Sequence, residues 1–181
     1  YYSQILNQKE KILINKNINK NFLFFTIVIK NISYKKISIN TIKAILLTNF
    51  ILNNNKNKEV DNLIKSFLSY TIDKYGFHKS YNSSYQIEFI NSLYEIKNIY
   101  LYFKKTLPKE ITFQLINLTS VLNSLFHKDG TLALFNGANN FNKKSFNIIG
   151  SQINDIRSKE LINIKNGIAI YNDEEKKIFL D

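Results

Sequence analysis

Two stretches in the middle of the chain repeat apolar residues at the spacing of an α-helix, and no other feature constrains the fold as much. In both stretches the steps between apolar positions alternate between four and three residues, which places those positions on one helix face. The positions are Phe89, Leu93, Ile96, Tyr100 and Phe103 in the first stretch, and Ile111, Leu115, Leu118, Leu122 and Leu125 in the second. Pro108 lies between them at a natural first helical position. The short connection predicts antiparallel neighbouring helices.

Further helices are predicted upstream of these two stretches. Residues 41–52 are mostly apolar and end in a polar loop at 53–57. A third helical spacing follows in Val60, Ile64, Phe67 and Thr71. The run 22–29 has the composition of a buried strand, but its length and its helical surroundings favour a helix of poor intrinsic propensity.

The pattern changes near residue 140, where short β-type runs begin. They cover residues 146–149, 161–164, 167–171 and 178–180, and Asn166-Gly167 and Asn172-Asp173 supply turns. The chain contains no Met and ends at Asp181 directly after an apolar run, so it is expected to be a fragment of a longer protein. The expected fold is therefore mainly α with a C-terminal β portion.

Composition excludes several classes of protein. With 44% hydrophobic residues the chain is not a disordered polyelectrolyte, and with 0 Cys it has no disulfide, thiol nucleophile or zinc knuckle. The net charge of +11 suits a polyanionic partner, although the richness in Ile, Asn, Lys, Phe and Tyr is what A/T-rich codons produce unaided. No phosphate loop and no metal-ligand spacing is present, so neither a metal nor another cofactor is expected.

Targeting signals are not visible in the sequence. The N-terminus has no basic stretch leading into an apolar one, so no signal peptide is predicted. The most apolar run, residues 22–29, is far shorter than the roughly 20 residues that a membrane-spanning helix needs.

Two polar loops contain the residues most able to do chemistry. They cover residues 76–88 and 126–140, and each holds one of the two histidines. Because they lie at equivalent ends of antiparallel helix pairs, the two loops could meet at one mouth. Histidine carries protons near neutral pH, and Tyr and Asn can donate hydrogen bonds to oxyanions. The alternative is structural: turns at Asp129-Gly130 and Asn136-Gly137, with Leu132, Leu134 and Phe135 in the core.

Both loops resemble signature segments of heparinase II/III-like proteins, a family of uronate polysaccharide lyases. The first loop has Gly76-x-His78-x-Ser80-x-Asn82-x-x-x-Gln86-x-Glu88, which is similar to the family's Gly-Gly-His-Val-Ser-Arg-Asn-Pro-x-x-Gln-Leu-Glu. Residues 126–137 resemble its Phe-x-x-x-Asp-Gly-x-Leu-Ala-Leu-Phe-Asn-Gly signature, and residues 167–181 resemble the first strand pair of its β domain. The chain departs from the family at Tyr75, Phe77, Tyr81 and Ser83, which stand in place of Asp, Gly, Arg and Pro.

The resemblance implies a partial (α/α) toroid followed by the first strands of an antiparallel β-sandwich. Residues 1–141 would be the helical part and residues 142–181 the start of the β domain. The implied reaction is β-elimination, in which a base removes the C5 proton of a uronic acid, a polar or cationic group neutralises its carboxylate and an acid protonates O4. The catalytic residues implied are His78, Tyr85 and Asn136. The substrate-binding residues implied are Ser80, Asn82, Gln86 and Asn139.

The resemblance also implies a partner and a location. The partner would be an acidic, uronate-containing polysaccharide and not a nucleic acid or a membrane, in the periplasm or cell envelope. A further catalytic histidine is expected beyond Asp181, so the isolated chain is expected to be inactive. Two alternatives stay open: a glycan-binding protein that does not cleave, since Tyr81 replaces an arginine, and a basic helical nucleic-acid-binding module.

Overall fold

The chain is described by a computed structural model over residues 7–31, 37–52, 57–127, 129–139, 169–172 and 177–180. Within these residues the chain forms five α-helices and one pair of β-strands. The helices are α1 (Gln8–Asn31), α2 (Ile39–Ile51), α3 (Asn57–Thr71), α4 (Ser83–Tyr102) and α5 (Lys109–Ser124). The strands are β1 (Ala169–Asn172) and β2 (Lys177–Leu180). The run 22–29 lies in α1, which confirms the helical interpretation of that run.

Polar side chains determine where three of the helices begin. Asn7 and Glu10 cap α1 reciprocally, since each side chain accepts the backbone N–H of the other, at 3.0 and 2.8 Å. The Ser38 hydroxyl accepts the N–H of Thr41 at the start of α2. Asn82 does the same for α4. Helix α5 begins one residue later than predicted, because Pro108 is its N-cap and not its first helical residue.

The two apolar stripes form the centre of the core. The buried members are Phe89, Leu93, Ile96 and Tyr100 in α4, and Ile111, Leu115, Leu118, Leu122 and Leu125 in and just after α5. Phe103, at the end of the first stripe, is only partly buried. Full burial of a side chain of this size stabilises the fold by about 1.5–3 kcal/mol, so these stripes hold the helices together.

Hydrogen bonds at the two ends of α4 show how this helix is oriented relative to α3 and α5. Gln86, near the start of α4, donates to the carbonyl of Leu118 in the second half of α5, so α4 and α5 are antiparallel. At the other end of α4, Tyr100 donates to the Asp61 carboxylate near the start of α3, so α3 and α4 are also antiparallel. The chain therefore leaves α3 and α5 at the same end of the bundle, which is the end where α4 begins.

The fold class expected from the sequence is wrong. In place of a partial toroid leading into a β-sandwich, the described residues form five helices and, beside them, only one short pair of strands. Strands β1 and β2 pair only with each other, antiparallel, from Ala169 opposite Leu180 to Asn172 opposite Lys177. A sandwich needs two sheets packed face to face, and the described part of the chain has a single two-stranded ribbon. The predicted runs 146–149 and 161–164 and the boundary at 141/142 lie outside the described residues.

None of the helices in the described ranges combines the length and the apolar character needed to cross a membrane.

Candidate functional site

The first loop spans residues 72–82 in the structure, because residues 83–88 belong to α4. It joins α3 to α4 and is organised by the carboxylate of Asp73. Asp73 Oδ1 accepts the N–H groups of Tyr75 at 2.8 Å and Phe77 at 2.9 Å, and its Oδ2 accepts the hydroxyl of Tyr81. An antiparallel bridge between Ile72 and His78 closes the loop. The sequence therefore places His78 on a tight, internally bonded turn.

The second loop follows α5 and is described over residues 125–127 and 129–139. Asp129 accepts both the N–H and the hydroxyl of Thr131, and the hydroxyl bond is the main cause that lowers the pKa of its carboxyl. Asn136 and Gly137 have positive φ angles of 49° and 75°, which Asn and Gly tolerate best. Both predicted turns are therefore present.

The structural alternative predicts three core residues in the second loop, and one of the three is not buried. Leu132 and Phe135 are buried as predicted, but Leu134 is 52% exposed. The Ser83 hydroxyl, which donates to the carbonyl of Ala133 at 2.5 Å, fixes the backbone on one side of this residue.

The two loops meet, as their placement at equivalent helix ends predicted. The Asn82 amide donates to the carbonyl of Asn136 at 2.9 Å, although 54 residues separate them. In the opposite direction the Asn136 amide donates to the carbonyls of Tyr81 at 3.2 Å and Ser80 at 3.4 Å. Asn136 and Asn82 thus join the loops by reciprocal hydrogen bonds.

The predicted catalytic residues lie around this junction. The rings of His78 and Tyr85 are in edge contact, with centroids 4.6 Å apart, and His78 also packs on Phe89 at 4.9 Å. Tyr85 is 39% exposed, and Asn136 is exposed as well. Asn136 is linked to the other two through the backbone of the first loop, and its side chain makes no direct contact with them that the structure records among the described residues.

The imidazole of His78 contacts aromatic rings and is hydrogen-bonded to Ser80 at one ring nitrogen. Its Nδ1 accepts the backbone N–H of Ser80 at 3.1 Å and lies 2.9 Å from the Ser80 hydroxyl oxygen. The same hydroxyl oxygen accepts the N–H of Asn82 at 3.3 Å. Burial lowers the pKa of His78 from 6.5 to about 4, so its ring is neutral at pH 7.

The predicted substrate-binding residues are brought to the same place but have different surroundings. Ser80 and Asn139 are exposed. Asn82 uses both ends of its amide, because Oδ1 caps α4 and Nδ2 reaches Asn136. Gln86 is 1% exposed, and its amide forms hydrogen bonds with the first loop and with α5. Its side chain therefore holds the first loop against α5.

Sequence reasoning missed the serines that hold the second loop against α4. Ser84 accepts the N–H of Asn139 at 2.7 Å, and Ser83 binds the carbonyl of Ala133. Their signal is a pair of hydroxyl residues directly after a capping asparagine, since hydroxyls in the first helical turn are free to bond outside the helix.

The described residues contain no cluster of three or more side chains suited to holding a metal ion. Comparison of the chain with protein-family models, with curated proteins and with solved structures found no match in any of the three. Two features of the chain therefore indicate a function: the resemblance of the two loops to signature segments, and the geometry in which the loops meet.

Proposed function

We propose that the chain is part of a polysaccharide lyase of the heparinase II/III type, which cleaves a uronate-containing acidic polysaccharide by β-elimination. One observation carries the proposal: the two segments that resemble the family's signatures are the two that meet, through Asn82 and Asn136. The order of the helices alone brings both loops to one end of the bundle, so the resemblance of the two segments is what gives their junction a functional interpretation.

The residues at the junction offer groups that β-elimination needs. The reaction requires a group that stabilises the uronate carboxylate as C5 loses its proton, and groups that move protons to and from the sugar. His78 supplies a neutral polar group for the carboxylate, and the partly exposed Tyr85 supplies a hydroxyl for proton transfer. The exposed Asn136 lies beside them and holds the backbone of the first loop through its amide nitrogen. Ser80 and Asn139 complete the exposed polar surface on which a sugar would lie.

Charge is consistent with the proposed partner. The net charge of +11 attracts any polyanion over long range, which raises association rates with acidic polysaccharides. By the same resemblance the protein would act in the periplasm or cell envelope. Long-range charge does not choose between a glycan and a nucleic acid, so the test has to compare them.

The binding test compares heparin-like and alginate-like polymers with duplex DNA at increasing salt. We expect the chain to retain the uronate polymers at about 0.15 M salt, where charge-only binding is screened. His78→Ala is expected to weaken uronate binding about tenfold, the worth of one hydrogen bond to a charged group. The control, Lys58→Gln, removes a charge at the far end of α3, about 20 Å along the helix from the first loop, and is expected to change binding by less than about twofold.

Cleavage is measured on the protein encoded by the complete reading frame, as the absorbance of unsaturated uronate products, since the resemblance implies a further catalytic histidine outside residues 1–181. Product release supports the proposal. Uronate binding without product contradicts catalysis and favours the glycan-binding alternative. Preference for duplex DNA, with no effect of His78→Ala, contradicts both and favours the nucleic-acid-binding module.

A further inference from the structure

The hydrogen bonds of His78 determine which of its ring nitrogens carries the proton. The backbone N–H of Ser80 points to Nδ1 at 3.1 Å, and a backbone N–H can only donate. Nδ1 is therefore the unprotonated, accepting nitrogen. A neutral imidazole has one ring proton, so that proton is on Nε2.

We infer that Ser80 fixes His78 as the Nε2–H tautomer, so that His78 serves the site as a hydrogen-bond donor to a ligand oxygen and not as a proton acceptor. The ligand oxygen, on the function proposed above, belongs to a uronate carboxylate. The tautomer itself follows from the loop geometry alone and does not depend on that function.

The surroundings of the ring reinforce this assignment. The Ser80 hydroxyl oxygen, 2.9 Å from Nδ1, already accepts the N–H of Asn82, so its own proton is free to point to Nδ1. The backbone N–H of His78 is held by Gln86 Oε1 at 2.8 Å. The rings of Tyr85 and Phe89 contact the imidazole, and burial keeps it neutral at pH 7. Rotation of the ring would break the bonds to Ser80.

The tautomer of His78 limits what this residue can do in β-elimination. Nδ1 uses its lone pair within the first loop, and Nε2 in this tautomer has none to offer. The base that removes the C5 proton is therefore a residue other than His78. His78 instead places a neutral N–H where negative charge grows on the uronate carboxylate during elimination.

The tautomer is tested by ring ¹⁵N NMR of the chain at pH 7. The chain has two histidines, His78 and His127, so a His127→Gln variant identifies the signals. We expect the His78 proton on Nε2, with Nδ1 unprotonated. A proton on Nδ1, or shifts averaged between the two tautomers, would overturn the inference. This measurement needs no glycan.

A matched pair of substitutions tests the donor role. The amide nitrogen of Gln is as many bonds from Cα as Nε2 of His, and that of Asn is as many as Nδ1. With an alginate-like polymer, we expect His78→Gln to bind within about threefold of the wild-type chain and His78→Asn about tenfold more weakly. Equal losses in the two variants would contradict a donor at Nε2. If the wild-type chain binds no uronate polymer while NMR places the proton on Nε2, the proposed function fails and the tautomer stands.

Discussion

Gln86 is a buried amide whose hydrogen bonds connect the first loop to two helices. Its oxygen accepts the N–H of His78 at 2.8 Å, and its nitrogen donates to the carbonyls of Gly76 at 2.9 Å and Leu118 at 3.2 Å. Buried polar groups lose water on folding, so each of these partners depends on Gln86 for its compensation. The position of His78 thus depends on Gln86, which is almost completely buried.

Replacing this amide should cost stability. Gln86→Leu keeps the side chain buried but removes its hydrogen bonds, which leaves the N–H of His78 and the carbonyl of Gly76 without that partner. We expect a loss of about 2–3 kcal/mol. The free energy of unfolding in urea measures it.

Gln114 provides a matched control in α5. Among the described residues its Oε1 is buried without a hydrogen-bond partner, so Gln114→Leu removes an uncompensated acceptor and should change stability by less than about 1 kcal/mol. Comparable losses in the two variants would show that the hydrogen bonds of Gln86 do not hold the loop.

At the scale of elements, the first loop approaches α5 so closely at Gly76 that any side chain there would be crowded. Gly76 has a φ angle of 90°, and a Cβ added there would lie 3.0 Å from the carbonyl oxygen of Asn117. That oxygen belongs to the backbone of a packed helix, so it cannot rotate away as a flexible side chain would. The distance between the loop and α5 is therefore set by the missing side chain at Gly76.

Two alanine substitutions separate the cost of a positive φ angle from the cost of the close contact with Asn117. Gly76→Ala combines a positive φ with the contact to Asn117, and we expect it to destabilise by about 2–4 kcal/mol. Gly137→Ala, with a φ of 75° and no atom of the described residues within 4 Å of the added Cβ, should cost only about 1 kcal/mol for its backbone. Thermal unfolding of both variants measures the difference, and similar costs would mean that the loop moves away from α5 freely.

The elements themselves differ in how well the sequence predicts them. The stripes through Leu93 and Leu118 predict α4 and α5 because long amphipathic periods have few alternative structures. Short segments have many. Leu134 was expected in the core but is exposed. In a segment of a few residues, the hydrogen bonds of the backbone decide which side chains face the solvent, and here the Ser83 hydroxyl bonds to the carbonyl of Ala133. The sandwich expected after residue 141 was implied by a resemblance and by equally short runs, and it is wrong, since the described residues there form only one pair of strands.

At the scale of the whole molecule, the meeting of the loops was predictable and the roles of their residues were not. Antiparallel helices with short connections bring alternate loops to one end, which requires only the order of the elements. Whether Gln86 faces a ligand or supports the loop depends on side-chain burial, which no spacing of a motif encodes. The direction of the His78 ring depends in turn on the backbone of Ser80.

The global stability should fall as the solution is acidified below neutrality. The pKa of His78 is about 4 in the folded chain, against an ordinary value of 6.5. At a pH between these two values His78 is protonated in the unfolded chain and neutral in the folded chain. The contribution is present in full above pH 6.5 and is lost as the pH falls toward 4. Because His78 is only partly buried, we expect a discounted loss of about 1 kcal/mol between pH 7.5 and pH 5.

The measurement is the free energy of unfolding in urea at the two pH values. A His78→Gln variant, which does not titrate there, should lack this part of the loss. Identical pH dependence in the variant and the wild-type chain would show that the folded His78 titrates normally.

Asn82 has one further consequence for how the molecule opens. Its Oδ1 holds the first turn of α4, and its Nδ2 holds the second loop at Asn136. Fraying of the helix and separation of the loops therefore break bonds to the same side chain, and the two openings belong to one cooperative unit. The surface that would receive a ligand exists only while the end of α4 is intact, so a ligand that stabilises the junction also slows hydrogen exchange in the first turn of that helix.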